Sequence, residues 1–430
     1  MDPTMDAAIW KFDVKTSQQE VSQLKNKLRR AERMNHLRSY LMIAPLFVFI
    51  AVTFLVPIGM MLYKSVYDPV ISRHLPETVA QLRGWDPTRQ AVPDAAAFDA
   101  LAADMVAAAH HDAIPKIASR LNFESGGMLS LFMRTARMVK KEAAAAPASH
   151  DWKQRFMALD PAWATPRPWA IIKRLGHVYT AGYYAQALDL KYKVNGSLER
   201  QPSSSRLYVG VFGRTAWVGL LVTGACLLLG YPLAYLLANL SPKKGNLLMI
   251  MVLLPFWTSL LVRTTAWIVL LQSDGVINKF LLWLGLIQHP LNLVYNRIGV
   301  VVTMTHILLP FMVLPLFSVM KAIPPSYARA ARSLGAGPWR AFWQVYFPQS
   351  MPGISAGVLL VFILSIGYYI TPALVGGPAD QMISYFIADN LSRSLNWGLA
   401  AALGGILLAS VLLLYSVYER FVGIANVKLG

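Results

Sequence analysis

Six long apolar runs divide this 430-residue chain, and polar or basic stretches separate them. The first covers residues 40–64. Five more cover residues 207–240, 247–271, 298–320, 354–375 and 399–422. Each approaches or exceeds the ~20 residues that a helix needs to cross ~30 Å of hydrocarbon. The pattern predicts an all-α polytopic membrane protein with six transmembrane helices. Runs 207–240 and 399–422 are longer than a minimal span, which predicts tilt or extension beyond the bilayer.

The stretch 65–206 between the first two runs is polar and in places alanine-rich. Its periodicity predicts helices over 94–109 and 125–142, the second with Leu129, Phe132, Met133 and Ala136 along one side. Residues 166–184 read as one or two more helices, and the alanine run around Pro147 reads as a linker. The stretch is long enough to bury a small core of its own. Residues 1–39 turn basic toward the first run. Lys25, Lys27, Arg29, Arg30, Arg33 and Arg38 face the single acid Glu32, and Val21, Leu24, Leu28 and Ala31 form a narrow apolar stripe. Such a helix suits an anionic lipid surface or a partner protein.

The chain carries a formal net charge of +18. In a soluble protein that excess would suggest nucleic acid as a partner. Here the cations collect in the connections between apolar runs, as the positive-inside rule requires, and nucleic acid is not expected. With six spans, Lys243, Lys244, Lys321, Arg329, Arg332, Arg340 and Lys428 fall on the same side as the basic N-terminal segment. Asp274, Asp380 and Asp389 fall on the other. This predicts cytoplasmic N- and C-termini, a cytoplasmic tail at 423–430 and an extracytoplasmic helical insertion at 65–206. Cys226 is alone, so no disulfide framework is expected. The sequence has no phosphate-binding G-x-x-x-x-G-K-[ST], no nucleophile elbow and no H-E-x-x-H, so neither catalysis nor nucleotide binding is expected of it. His110, His111 and Asp112 are metal-ligand types, but neighbouring helical residues point ~100° apart, and they read as a solvated loop rather than a metal site.

Residues 321–353 form a basic, helix-friendly interruption between the fourth and fifth runs. Arg329, Ala330, Ala331 and Arg332 sit in a short predicted helix whose alanines allow close approach of another surface. Gly335 is free to take positive φ and break it, ahead of Ala336. Pro338 suits a new helix start. Trp339, Phe342, Val345 and Tyr346 then share one face of a second helix, expected to end at Phe347-Pro348. This stretch resembles the EAA loop of ABC-importer permeases. The alanine pair, Gly335 and Phe347-Pro348 match that pattern, while Arg329 stands where the family carries an acid. The resemblance implies the type I ABC-importer permease fold, with a permease core at 207–422 in a bacterial inner membrane. It also implies that the loop docks on a dimeric ATP-binding cassette ATPase, which would bind ATP and Mg, leaving this chain without a cofactor. A second permease subunit and a periplasmic solute-binding protein complete the implied assembly, embedded in membrane lipid.

Two further segments bear on transport. Residues 255–267 read PFWTSLLVRTTAW, and an arginine inside a span must face protein or a water-filled cavity. Residues 366–378 read IGYYITPALVGGP, with LNWG at 395–398, and their glycines and prolines predict a helix break near the outer face. Trp257, Thr258, Arg263, Thr264, Trp267, Tyr368, Tyr369 and Thr371 are the candidates for the translocation pathway. Both segments are similar to spermidine/putrescine-type permeases, which implies a polyamine solute. Tyr368, however, stands where polyamine permeases often carry an acid. From residue 207 onward the only acids are Asp274, Asp380, Asp389 and Glu419. Cation–π contacts to Tyr368, Tyr369 or Trp257 would hold an amine. Arg263 would instead favour an amino acid, an opine-like solute or an organic anion. A secondary transporter would show mid-membrane acids or repeated halves, and neither is visible. A membrane-anchored sensor would use the insertion as its working domain.

Overall fold

A computed structural model describes residues 33, 34, 36, 39–145 and 151–422. The expected basic helix within 1–39, the linker around Pro147 and the tail at 423–430 lie outside the described residues, save for residues 33, 34, 36 and 39. The chain divides into two units, residues 1–63 and 64–430. Six helices among the described residues are long and apolar enough to cross a membrane: Ser39–Lys64, Tyr208–Asn239, Leu260–Trp283, Arg297–Ala322, Pro338–Gly367 and Trp397–Arg420. The first, α1, supplies nearly all the described residues of the smaller unit.

The insertion folds around its aromatic residues. Its helices are α2 (Val70–His74), α3 (Pro76–Leu82), α4 (Ala95–His110), α5 (Ile114–Glu124), α6 (Met128–Ala145), α7 (Trp152–Leu159), α8 (Pro166–Leu175) and α9 (Gly182–Ala187). The expected helices over 94–109 and 125–142 are present within a few residues, and 166–184 holds two. Phe98, Phe132, Phe156, Trp163 and Trp169 are fully buried. Phe98 meets Trp169 edge-on at 4.4 Å between centroids, and Trp163 lies 5.1 Å from Trp169. Burying each large side chain contributes ~1.5–3 kcal/mol. The indole N–H groups keep partners: Trp163 Nε1 donates to Thr135 Oγ1 at 2.9 Å and Trp169 Nε1 to the Trp163 carbonyl at 3.1 Å.

The fold is all-α as expected, and one short hairpin is added to it. Strands β1 (Leu190–Tyr192) and β2 (Leu198–Arg200) pair antiparallel, with Lys191 opposite Glu199. Gly196 makes the turn at φ 82°. The hairpin leads into the second span.

That span, α10 (Tyr208–Asn239), packs against α14 (Arg297–Ala322) and α16 (Pro338–Gly367), with Val218, Val222, Met304, Met312, Leu316 and Val361 buried between them. Two of the expected spans are not continuous helices. The run at 247–271 is not one helix. It forms α11 (Pro242–Leu253), a tight turn at Leu254–Trp257 and α12 (Leu260–Leu271), followed by α13 (Val276–Trp283). Pro255 cannot donate to a helical ladder, and Ser259 caps the restart by accepting from the Val262 N–H at 3.3 Å. The fifth span does not run 354–375. It stops at Gly367, and α17 (Ile370–Val375) begins after a break at Tyr368 and Tyr369. The expected helix end at Phe347-Pro348 is also absent, because α16 continues through both residues. A π-turn at Phe342–Tyr346 precedes Pro348 and absorbs its missing N–H. The same device, a π-turn at Ala51–Leu55, precedes Pro57 in α1.

The insertion is fixed to the spans at two points. Tyr183 and Ala187 of α9 pack on Leu399, Ala402 and Leu403 at the start of α19 (Trp397–Val422). Beside that contact, the buried Arg120 pairs with buried Asp68 and with Glu124 at 3.0 Å. Burial opposes the Arg120 charge, but Tyr183, Glu124 and Asp68 around it more than compensate and raise its pKa. Burial pushes the Tyr183 phenol up as well. At the second point, buried Asp189 caps α10. Its carboxylate accepts from the N–H groups of Leu207, Tyr208 and Val209 at 3.0, 3.0 and 2.8 Å.

Candidate functional site

The connection after α14 is a helix–turn–helix. Pro324 leads into α15 (Pro325–Ser333), which carries Arg329, Ala330, Ala331 and Arg332. Gly335 takes φ 89° and reverses the chain, as the sequence predicts. Gly337 is extended and Pro338 opens α16. The second helix splits its aromatic residues between two jobs. Phe342 and Tyr346 pack edge-on against Tyr235 of α10 at 5.7 and 5.1 Å, and Phe347 lies 5.8 Å from Tyr231. These rings lock the loop to the second span. Leu334 is 89% exposed and Trp339 73% exposed, with Tyr327 and Trp343 also exposed. An apolar patch of this kind next to small Ala330 and half-buried Ala336 is what a docking surface presents. Leu334 is absent from the sequence-derived candidates, although its place beside Gly335 at a predicted turn was a usable signal.

The second cluster lies where α12, α14 and α16 meet α17. Thr264 Oγ1 and Thr371 Oγ1 lie 3.3 Å apart, so the two half-helices α12 and α17 touch through hydroxyls. Trp267 Nε1 donates to His306 Nδ1 at 3.0 Å. Arg263 acts electrostatically on both His306 and Tyr368, and its Nε is buried without a hydrogen-bond partner among the described residues. The side chain as a whole is half-buried. His306 stands nine residues into α14, roughly 13 Å from its start at 1.5 Å per residue. Arg263 stands eight residues before the end of α12, roughly 12 Å from it. Arg263, Thr264, Trp267, Tyr368 and Thr371 are brought together, and His306 joins them unannounced. Trp257 and Thr258 are not part of the cluster. Trp257 is 87% exposed at the helix break, and Thr258 bonds the Pro255 carbonyl at 2.9 Å. Tyr369 is exposed. Among the described residues no group of three His, Cys, Asp or Glu gathers to hold a metal ion.

Residues 230–423 match the family described as binding-protein-dependent transport system inner membrane component. The spermidine/putrescine transport system permease protein PotB of Escherichia coli K12 is 36% identical over 222 residues, 52% of this chain and 81% of PotB. PotB of Haemophilus influenzae is 33% identical over 228 residues, 52% of this chain and 80% of its own length. Among solved structures, a bacterial alginate ABC transporter in complex with an alginate pentasaccharide-bound periplasmic protein aligns at 18% identity and a TM-score of 0.41. That alignment covers 52% of this chain and 80% of the other.

Proposed function

The chain belongs to the binding-protein-dependent transport system inner-membrane component family, and from that premise we propose that it is the polyamine-translocating permease subunit of a bacterial ABC importer. The likeness to PotB supports spermidine or putrescine as the solute class. In this reading the N-terminus and the loop at 321–353 face the cytoplasm, and the insertion at 65–206 faces outward. The loop charges Lys243, Lys244, Lys321, Arg329, Arg332 and Arg340 support that orientation. A second permease subunit completes the pathway, a solute-binding protein delivers the solute, and a separate ATPase dimer binds ATP and Mg.

The observation that carries the reading is the helix–turn–helix from α15 to α16, with Leu334 and Trp339 exposed beside a left-handed glycine. ATP binding closes the ATPase dimer and pulls on this loop. The rings of Phe342, Tyr346 and Phe347 pass that motion to α10, and the continuous α16 passes it to the break at Tyr368. The spans then rock as rigid bodies between inward-open and outward-open states. An amine crossing at Tyr368 and Tyr369 gains ~0.5–2 kcal/mol from each aromatic face.

Arg263 favours a second reading, in which the same importer carries an amino acid, an opine-like solute or an organic anion. ATP hydrolysis by the full complex in liposomes separates the two. Its solute-binding protein is added with polyamines, amino acids or organic anions in turn. Stimulation by a polyamine is expected. Stimulation only by an anion replaces the first reading with the second, and no stimulation by any solute removes the importer assignment.

A further inference from the structure

The insertion holds a cleft of about 870 Å3, within the ~300–1,000 Å3 range of small-molecule sites. One wall is α8, which supplies Arg167, Lys173 and Arg174, and the opposite wall is the β1–β2 hairpin with Lys191 and Lys193. Phe123, Ile171 and Tyr192 give it an apolar lining. Three carboxylates also line it, and each already faces a cation. Glu124 pairs with Arg174 and with Arg120. Glu199 lies between Lys191 at 4.0 Å and Lys193 at 3.7 Å. Asp86 accepts from the Thr88 N–H and hydroxyl at 2.9 and 2.7 Å, which hold its pKa down, and faces Arg89 at 3.6 Å. Among the described residues Arg167 is in no ion pair, and Lys173 spends its ammonium on the carbonyls of Arg83 and Trp85. The lining therefore keeps uncompensated positive charge. The Arg174 guanidinium is already held flat over the Tyr192 ring, 4.3 Å from its centroid, so little ordering is left for a ligand to impose.

The cleft shares a wall with the joints to the spans. Gly182 and Gln186 of α9 line it, while Tyr183 and Ala187 on the same short helix grip the start of α19. Asp189, the cap of α10, sits between α9 and β1.

We propose that this cleft is a binding site for a small organic anion carrying two or more carboxylate or phosphate groups. Its occupancy is passed through α9 and Asp189 to the adjoining ends of α19 and α10. Arg167, Arg174 and the hairpin lysines take the charged groups, and Phe123, Ile171 and Tyr192 take the carbon skeleton. The site is separate from the solute pathway and does not depend on which solute is carried.

The test uses the full-length protein in lipid nanodiscs, with citrate as the probe, inorganic phosphate as the small anion and spermidine as the cationic control. Calorimetry should give citrate binding that weakens as salt rises. The double variant R167E/K193E, at two exposed positions and so expected to melt as the wild type does, should bind citrate roughly tenfold more weakly or worse. Citrate should also slow amide exchange over residues 182–187 and 397–403. Absence of binding by both citrate and phosphate, or equal citrate affinity in the variant, overturns the site. Tighter binding of spermidine than of citrate overturns its charge preference. Binding without slowed exchange at 397–403 overturns the link to α19.

Discussion

The ring of Tyr183 lies so close to Gly398 that a Cβ added at Gly398 would overlap three ring atoms. The ring cannot swing away at low cost. Its hydroxyl donates to Asp68 Oδ2 at 2.9 Å, and Arg120 stacks on its face at 4.7 Å. Glycine at 398 is what lets the insertion seat on the sixth span.

Gly398→Ala should therefore overpack this joint and cost ~1–3 kcal/mol. In thermal unfolding of the purified protein the melting temperature should fall by several degrees. In a Tyr183→Ala background the same substitution should cost less, because the obstacle is gone. A double-mutant cycle measures this directly, with a coupling of ~0.5–3 kcal/mol expected for residues in contact. Strictly additive costs would show that the two residues do not bear on each other.

The second joint rests on Asp189. Its carboxylate serves three N–H groups at the start of α10, and its backbone is left-handed at φ 56°. Asp189→Ala should cost ~1–3 kcal/mol, since three N–H groups at the helix start lose their acceptor and alanine tolerates this backbone poorly. Asp189→Asn keeps one acceptor oxygen and a residue type at ease in that conformation, so it should cost less. Ranking the three proteins by melting temperature checks this; Asn falling below Ala would contradict the capping role.

Much of this architecture was legible in the chain. The spans could be read because ~20 apolar residues have few alternatives to crossing a bilayer. The turn at Gly335 was readable because glycine between two helix-forming stretches has a local conformational reason. The breaks at Thr258 and at Tyr368 were harder to place, because they depend on where the pieces of two spans meet, through Thr264 and Thr371. His306 was missed because a single histidine in an apolar run forms no pattern until Trp267 is brought 3.0 Å away. The hairpin had a signal: Asn195-Gly196 favours a tight turn, but three-residue strands are too short to show alternation. Likewise α5 carries Ile114, Ile117, Ala118 and Leu121 at helical spacing behind Pro115, and could have been found.

At the loop proposed to couple to the ATPase, conformation and space can be separated. A Cβ on Gly335 meets nothing within 4 Å, yet φ is 89°. Gly335→Val should thus be opposed by backbone strain of ~1–3 kcal/mol rather than by a clash. It should re-aim α15 against α16. Gly337 also has open space around it but an ordinary φ of −65°, so Gly337→Ala is the matched control. In the reconstituted complex, solute-stimulated ATP hydrolysis should drop at least severalfold for Gly335→Val and stay near wild type for Gly337→Ala, with both proteins inserted in the membrane. Equal activity in all three would detach this turn from coupling.

Arg263 is the residue on which the solute class turns. A polyamine nitrogen passing ~6 Å from its guanidinium would be repelled by about 3 kcal/mol at an effective dielectric of ~20. Aromatic faces at Tyr368 and Tyr369 offset part of that, ~0.5–2 kcal/mol each. If a polyamine is the solute, Arg263→Gln should preserve polyamine-stimulated hydrolysis and leave its half-saturating concentration unchanged or lower. The substitution should be tolerated structurally, since the side chain is only half-buried and its Nε has no hydrogen-bond partner among the described residues to lose. Collapse of polyamine stimulation in Arg263→Gln, with rescue by Arg263→Lys, would mean that the positive charge itself is needed. Arg263 would then hold a carboxylate on the paired subunit, since a polyamine carries none. Repeating the titration with an amine that also bears a carboxylate tests the other case. Loss of affinity for that compound in Arg263→Gln, with polyamine stimulation preserved, would mean that Arg263 holds a solute carboxylate.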